Sequence, residues 1–355
     1  MDAMESLTEE MRELSKQHSM SPKELKNPNN KWLVRSAFQK YMRRGRADDA
    51  IRMAEYLFAL DEKYAWYTLQ TILIEDIGLG DLDLMSYGTM ANLKGVRDQM
   101  SSSAGLFASM VVRACAADKS RSCCELSLGA DLAAGPVFAE LKDAGPAALL
   151  TAISSADPER AYVGLKVQRK NLRGGSTEEM MPTLQLIYDA LDGQDETVKR
   201  ACLLNFERTV DTMNLALFPV VRGDLADHSE WTANDEMPPE IQILSVTSAA
   251  FDMHVMQGKR ALKAFWRGLC KVDPMFAEIP EDDAVKAVGS LVFIVEGGQV
   301  DHRLMSNFLK QMKVYQDTNF PPGYGLPKTI DLHKALDVVR KDIPLLNEKR
   351  LWSCK

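Results

Sequence analysis

Apolar residues recur three and four positions apart through most of this 355-residue chain, with no sustained alternation at period two. That spacing stacks side chains on one face of a helix. Residues 1–17 carry Met4, Leu7, Met11 and Leu14, a narrow stripe suited to pairing with another helix. A second helix is predicted from about Asn30 through KWLVRSAFQKYMRR, with Gly45 as its stop. ADDAIRMAEYLFALD then turns Ala50, Ile51, Ala54, Leu57 and Phe58 to one side. KYAWYTLQTILIEDI does the same with Trp66, Leu69, Ile72, Leu73 and Ile77. Short loops join these three helices into a predicted unit over 31–100.

Polar and proline-rich stretches punctuate the pattern. HSMSPKELKNPNN (18–30) reads as a linker after the N-terminal helix. SSSAG (101–105) reads as a flexible break that opens a second helical unit over 101–222, rich in Ala, Gly and Ser from Ala104 to Ala156. GDLADHSEWTANDEMPPE (223–240) is acidic, contains Pro238 and Pro239, and is expected to be a hinge with few core anchors. A C-terminal helical unit over 241–355 follows, opening on a long helix predicted from about Ile243 to Leu269. DTNFPPGYGLPK (317–328) is a third loop. VGSLVFIVEGG has strand-like composition, but its flanks are helical and Gly297 is a natural stop, so it is read as helix.

Residues 37–57 can be laid on 148–168 without gaps, pairing Ala37 with Ala148 and Ala50 with Ala161. Both read as helix, polar break, acidic residue, helix, which fits either an internal duplication or two ordinary hairpins. The fold class predicted is all-α, a multi-hairpin helical bundle.

Composition narrows the classes. The chain is 46% hydrophobic and 26% charged, with net charge −7. That balance argues against a protein that coats nucleic acid non-specifically, though not against a local basic site. Cys115, Cys123, Cys124, Cys202, Cys270 and Cys354 form no CxxC and are too sparse for a disulfide scaffold. The N-terminus is not cationic, apolar and cleavable, so a reduced, cytoplasmic protein is expected. No apolar run approaches the ~18 residues that suggest a membrane span, so no membrane partner is expected. Nineteen methionines suit adaptable helix–helix packing.

Candidate chemistry is thin. Glu75 and Asp76 end one helix, and neighbours in an α-helix diverge by about 100°, so they are not expected to converge on a ligand. Gly78 suits the helix stop and Asp81 the N-cap of LDLMSYGTM. In RGGSTEEM (173–180), Ser176 and Glu179 read as a capping box rather than a phosphate loop. Glu281, Asp282 and Asp283 read as a charged helix start. Cys115, Cys123 and Cys124 lack zinc-site spacing, and the five histidines are scattered. His254 falls among apolar residues and is expected in the core. No metal, cofactor or catalytic set is expected; an enzyme assembled from distant residues would have Glu75, Asp76 and His254 as first suspects.

DDAIRMAEYLFALDEKYAWYTLQTILIEDIGLGD, with its Ile74-Glu75-Asp76-Ile77-Gly78-Leu79-Gly80 phrase, resembles the C-terminal helical region of the RarA/MgsA clamp-loader-related recombination ATPases. SSADPERAYVGL (154–165) resembles a hairpin turn of the same family. The resemblance covers about 50 residues firmly and about 150 loosely. It implies collar-like helical units that hold subunits together. No GxxxxGK[ST] loop occurs in the chain, so the ATPase motor of that family is missing.

Three basic clusters remain. Arg43, Arg44 and Arg46 extend a set begun by Arg35 and Lys40; Lys166, Arg169 and Lys170 lie with Arg160 and Arg173. These two sets lie at or near the ends of the echoed hairpins and read either as solvated helix faces or, taken together, as a phosphate-contacting edge. The third lies in FDMHVMQGKRALKAFWRGL (251–269). A helical wheel puts Met256, Arg260, Lys263 and Arg267 on one side with Lys259 beside them. Phe251, His254, Leu262, Phe265 and Leu269 take the other side, with Trp266 at a flank. The function expected is a DNA replication or recombination accessory, of a kind a virus or mobile element would carry. Its expected partners are DNA, a replication or recombination protein, and further copies in a homo-oligomer. The alternative is a helical scaffold or adaptor that binds protein only.

Overall fold

The predicted apolar faces become buried faces in the structure, a computed structural model that describes residues 3–24, 30–133, 135–172, 177–208, 232–304, 307–319 and 325–355. It is 71% helical, and among the described residues its strands are four two-residue segments. The fold is all-α. Two compact units emerge: Met1–Ser19, Trp66–Ala233 and His302–Asn319 in the first, Met20–Ala65, Asn234–Asp301 and Phe320–Lys355 in the second. This division does not follow chain order. The three helices predicted as one unit over 31–100 are divided between Ala65 and Trp66, and 20–65 groups with C-terminal segments.

In the first unit α1 (Ala3–Leu14) buries Leu7, Met11 and Leu14 and packs on α6 (Ser103–Ala116), which realises the narrow stripe. The expected break at 101–105 is in fact the start of α6. The Ser102 hydroxyl accepts the Gly105 N–H at 2.9 Å, a side-chain N-cap. The stripe of α4 (Glu62–Ile72) is buried at Trp66, Leu69 and Ile72, and continues through Leu73 and Ile77 in a π-helical turn (Leu73–Ile77). Gly78 has φ +53°, and Asp81 caps α5 (Leu82–Ala91) by accepting the Leu84 N–H at 3.0 Å. Further helices are α7 (Ser122–Leu132), α8 (Pro136–Leu141), α9 (Pro146–Ile153), α10 (Pro158–Leu172), α11 (Thr177–Ala190) and α12 (Glu196–Arg208). Here α5 packs on α12, and α10 on α7 and α9.

In the second unit α2 (Lys31–Arg43) and α3 (Ala47–Leu60) form a hairpin turned at Gly45, φ +62°. The echoed segments are thus both hairpins, α2–α3 and α9–α10. Ala50 and Ala161 are both buried, whereas Ala37 is buried and Ala148 exposed. The core continues with α13 (Met256–Val272), α14 (Ala284–Val292), α16 (Leu332–Lys341) and α17 (Ile343–Ser353), α15 (Asn307–Asn319) belonging to the first unit. Leu262, Phe265, Leu269, Val288, Leu291, Val339 and Leu346 are among its buried residues.

Residues 223–231 of the expected hinge lie outside the described residues, as do 173–176 of the expected capping box and 320–324 of the third loop. The rest of the hinge is anchored. Asp235 exchanges hydrogen bonds with the Val300 backbone, and the Pro239 carbonyl accepts from Asn347 at 3.0 Å.

Candidate nucleic-acid interface

The helix predicted from Ile243 starts only at Met256. Gln242–Ile243 and Val246–Thr247 instead form a small antiparallel hairpin. Its two-residue turn puts Leu244 and Ser245 at φ +51° and +66°, a left-handed conformation normally signalled by Asn or Gly. A short 3₁₀ turn (Ser248–Ala250) follows, and the loop crosses the first turn of α13. That crossing explains Gly258 inside a helix. A Cβ there would lie 1.9 Å from the Asp252 carbonyl oxygen.

The amphipathic split of α13 is as predicted within the helix. Ala261, Leu262, Phe265 and Leu269 are buried, while Met256, Lys259, Arg260 and Arg267 are exposed and Lys263 is half-buried. Trp266 lies at the flank and donates its indole N–H to the Phe276 carbonyl at 3.0 Å. Phe251 is buried but precedes the helix. His254 also precedes it and is exposed, so the core placement expected for it is wrong. The helix carries Lys259, Arg260, Lys263, Arg267 and Lys271 and no acidic residue. Glu281, just before α14, accepts from both Lys263 (3.0 Å) and Arg267 (2.8 Å). These hydrogen bonds hold its carboxyl below the usual glutamate range. Exposed pairs of this kind contribute little stability and exchange readily for another anion.

The first predicted edge is corrected. Arg43 is fully buried, donates to the Gly297 carbonyl at 2.6 Å and lies over the Phe293 ring. Arg44 is also largely buried, paired with Glu240 and donating to the Glu296 carbonyl at 3.0 Å. Burial lowers its pKa to about 10. Arg46 is partly exposed but bridges Asp49 and Glu240. Neither Arg43 nor Arg44 can reach a phosphate from there. Lys40 likewise turns inward to Asp252 and Ser36. Burial would raise the Asp252 carboxyl, but the Lys40 charge and hydrogen bonds outweigh it and bring it down to about 2.

The second edge survives only at one position. Lys166 donates to the Asp131 and Ala133 carbonyls at the end of α7, and Arg169 pairs with Asp131. Their charges serve a helix C-terminus and a carboxylate. Lys170 is exposed.

The conspicuous carboxylates have partners of their own. Asp76 is fully buried and pairs with Arg121 at 3.0 Å. Arg121 also reaches the Cys124 sulfur at 3.5 Å, and that thiol lies 3.5 Å from the Glu75 carboxylate. The two acids thus take different donors, Asp76 the Arg121 guanidinium and Glu75 the Cys124 thiol. Burial opposes the Arg121 charge, but Cys124, Asp76, Glu125 and Glu75 together raise its pKa above the ordinary value. Gly78 and Gly80 let this turn close on residues 118–120. A Cβ at Gly80 would meet the Asp118 carbonyl oxygen at 1.9 Å.

The second unit repeats the device. A π-helical turn (Phe293–Gly297) follows α14, and its buried Glu296 takes Arg350 through two hydrogen bonds of 2.8 and 2.6 Å. Neither Arg121 nor Arg350 stood out in the sequence, where each is one basic residue among many. Among the described residues no group of three metal-ligating side chains occurs, and no helix is long and apolar enough to cross a membrane. Burial raises the Cys123 thiol, and raises Cys202 to about 12. No family model, curated protein or solved structure matches this chain.

Proposed function

We propose that this protein is a DNA-binding accessory of replication or recombination, with the outer face of α13 as its contact to the phosphate backbone. The observation that carries the reading is the charge of that helix: five basic residues, no acidic one, and an apolar side buried in its own unit. A helix anchored so firmly presents its cations at fixed spacing. The likeness of residues 48–81 to the collar region of clamp-loader-related ATPases supports the same field of action. With no phosphate-binding loop in the sequence, the role proposed is assembly on DNA through helical hairpins rather than ATP hydrolysis. An adaptor that binds protein only is the second reading. It is favoured by Leu351 and Trp352, which are 44% and 62% exposed at the end of α17.

Glu281 supplies a test. It neutralises two of the five cations, so Glu281→Gln is expected to tighten duplex DNA binding by several-fold at low salt, read by fluorescence anisotropy. A variant that binds DNA no better than the parent, or a parent that binds none, contradicts the reading.

A further inference from the structure

We propose that the first turn of α2 is a stacking site for single-stranded nucleic acid, with Trp32 as its platform. The inference goes beyond the duplex-phosphate reading of α13 and does not depend on it.

Trp32 is 47% exposed, whereas Trp66 is fully buried. An indole about half exposed at the start of a helix keeps apolar surface open to a partner. It is nevertheless held in place. Tyr64 meets it edge-on, with ring centroids 6.3 Å apart and planes at 88°. The Lys31 ammonium lies 5.4 Å from the Trp32 ring centroid, and the Arg35 guanidinium 5.9 Å from both the Trp32 and the Tyr64 centroids. Two cations therefore lie over a half-exposed ring that also meets a second ring edge-on, and an incoming base would displace one of them toward its own phosphates.

The surroundings suit an anion as well as a base. The first turn of α2 contains no acidic residue, and its N-cap Asn30 makes no side-chain cap bond. Among the described residues, Asp61 at the start of α4 is an acid near Tyr64. Asp61 accepts the Tyr64 N–H at 3.0 Å. A base stacked on Trp32 would have its phosphates within reach of Lys31 and Arg35. A single exposed ring selects an unpaired base, because the faces of paired bases are already covered by their neighbours. Aromatic platforms with flanking cations are how sequence-tolerant single-strand binders work.

The test uses the full chain with a labelled oligothymidylate and a labelled duplex of matched length, read by anisotropy. Trp32→Ala is expected to weaken oligothymidylate binding by about 5- to 150-fold, the range of one lost stacking contact, and to leave duplex binding unchanged. Trp32→Phe, which keeps a ring, is expected to recover most of the loss. Lys31→Ala with Arg35→Ala is expected to flatten the salt dependence for the single strand. Circular dichroism should be the same for all variants, since Lys31 and Trp32 are exposed and Arg35 is only half-buried. Equal oligothymidylate binding by Trp32→Ala and parent overturns the proposal, as does a parent with no single-strand affinity or an equal loss on duplex. Loss of binding to anionic lipid vesicles or to a protein in place of the oligonucleotide reassigns the platform and overturns it too. Failure on duplex alone counts against the α13 reading and leaves the Trp32 site standing.

Discussion

Arg350→Ala is expected to destabilise the second unit by about 3–5 kcal/mol. Arg350 is fully buried. It holds Glu296 through two hydrogen bonds and donates to the Phe251 carbonyl (3.3 Å) and the Asn347 side chain (2.9 Å). Removing the guanidinium leaves the Glu296 carboxylate buried without its cation, and opens a cavity between α17 and the turn after α14. An uncompensated buried charge is the costlier of the two effects. Urea unfolding followed by tryptophan fluorescence, with Trp266 in this unit, measures it. A midpoint within the error of the parent would show that Glu296 has other support and that the pair does not hold the unit together.

The second large effect is expected at Asp76. Asp76→Ala removes the carboxylate paired with Arg121, whose side chain is 3% exposed, and a loss of about 3–5 kcal/mol should follow in the first unit. The double variant Asp76→Leu with Arg121→Met is expected to regain much of it, because two apolar groups of similar size leave no buried charge. The coupling energy from a cycle of the parent, Asp76→Leu, Arg121→Met and the double variant separates a structural pair from a catalytic one. If Asp76→Ala were as stable as the parent, the buried pair would be under strain relieved by mutation, as active-site charges are, and the enzyme reading would return.

Much of the fold was legible because it rests on local pattern. Trp66, Leu69, Ile72, Leu73 and Ile77 follow one another at helical spacing, and all five are buried. Asp81 announces an N-cap by type and place. The hairpin at 242–247 was hidden because Leu244 and Ser245 occupy left-handed positions where the usual signal is Gly or Asn. The grouping of 20–65 with segments beyond 234 depends on pairs far apart in sequence, such as Lys40 with Asp252 and Arg44 with Glu240. No periodicity encodes those. The same fact explains the basic clusters. Charge density reads identically whether the cations face water or a buried carboxylate, so VRSAFQKYMRRGR resembled a surface and proved largely interior. Only α13, whose partner carboxylate is a single exposed glutamate, kept its predicted face. Trp32 carries no signal in the sequence, because its ring contacts come from Tyr64, more than thirty residues away.

The proposed DNA role is tested most directly by the salt dependence of duplex binding for the parent and for Lys259→Ala with Arg260→Ala. Both residues are exposed on α13, and among the described residues neither has an ion pair. Each phosphate neutralised contributes about −0.9 to the slope of log K against log salt. The double variant should therefore have a slope about 1–2 units shallower, bind unrelated sequences with equally reduced affinity, and unfold at the parent's urea midpoint. A slope equal to the parent's would place the DNA elsewhere on the molecule. A parent with no measurable duplex affinity at low salt would contradict the account and leave the protein-binding adaptor in its place.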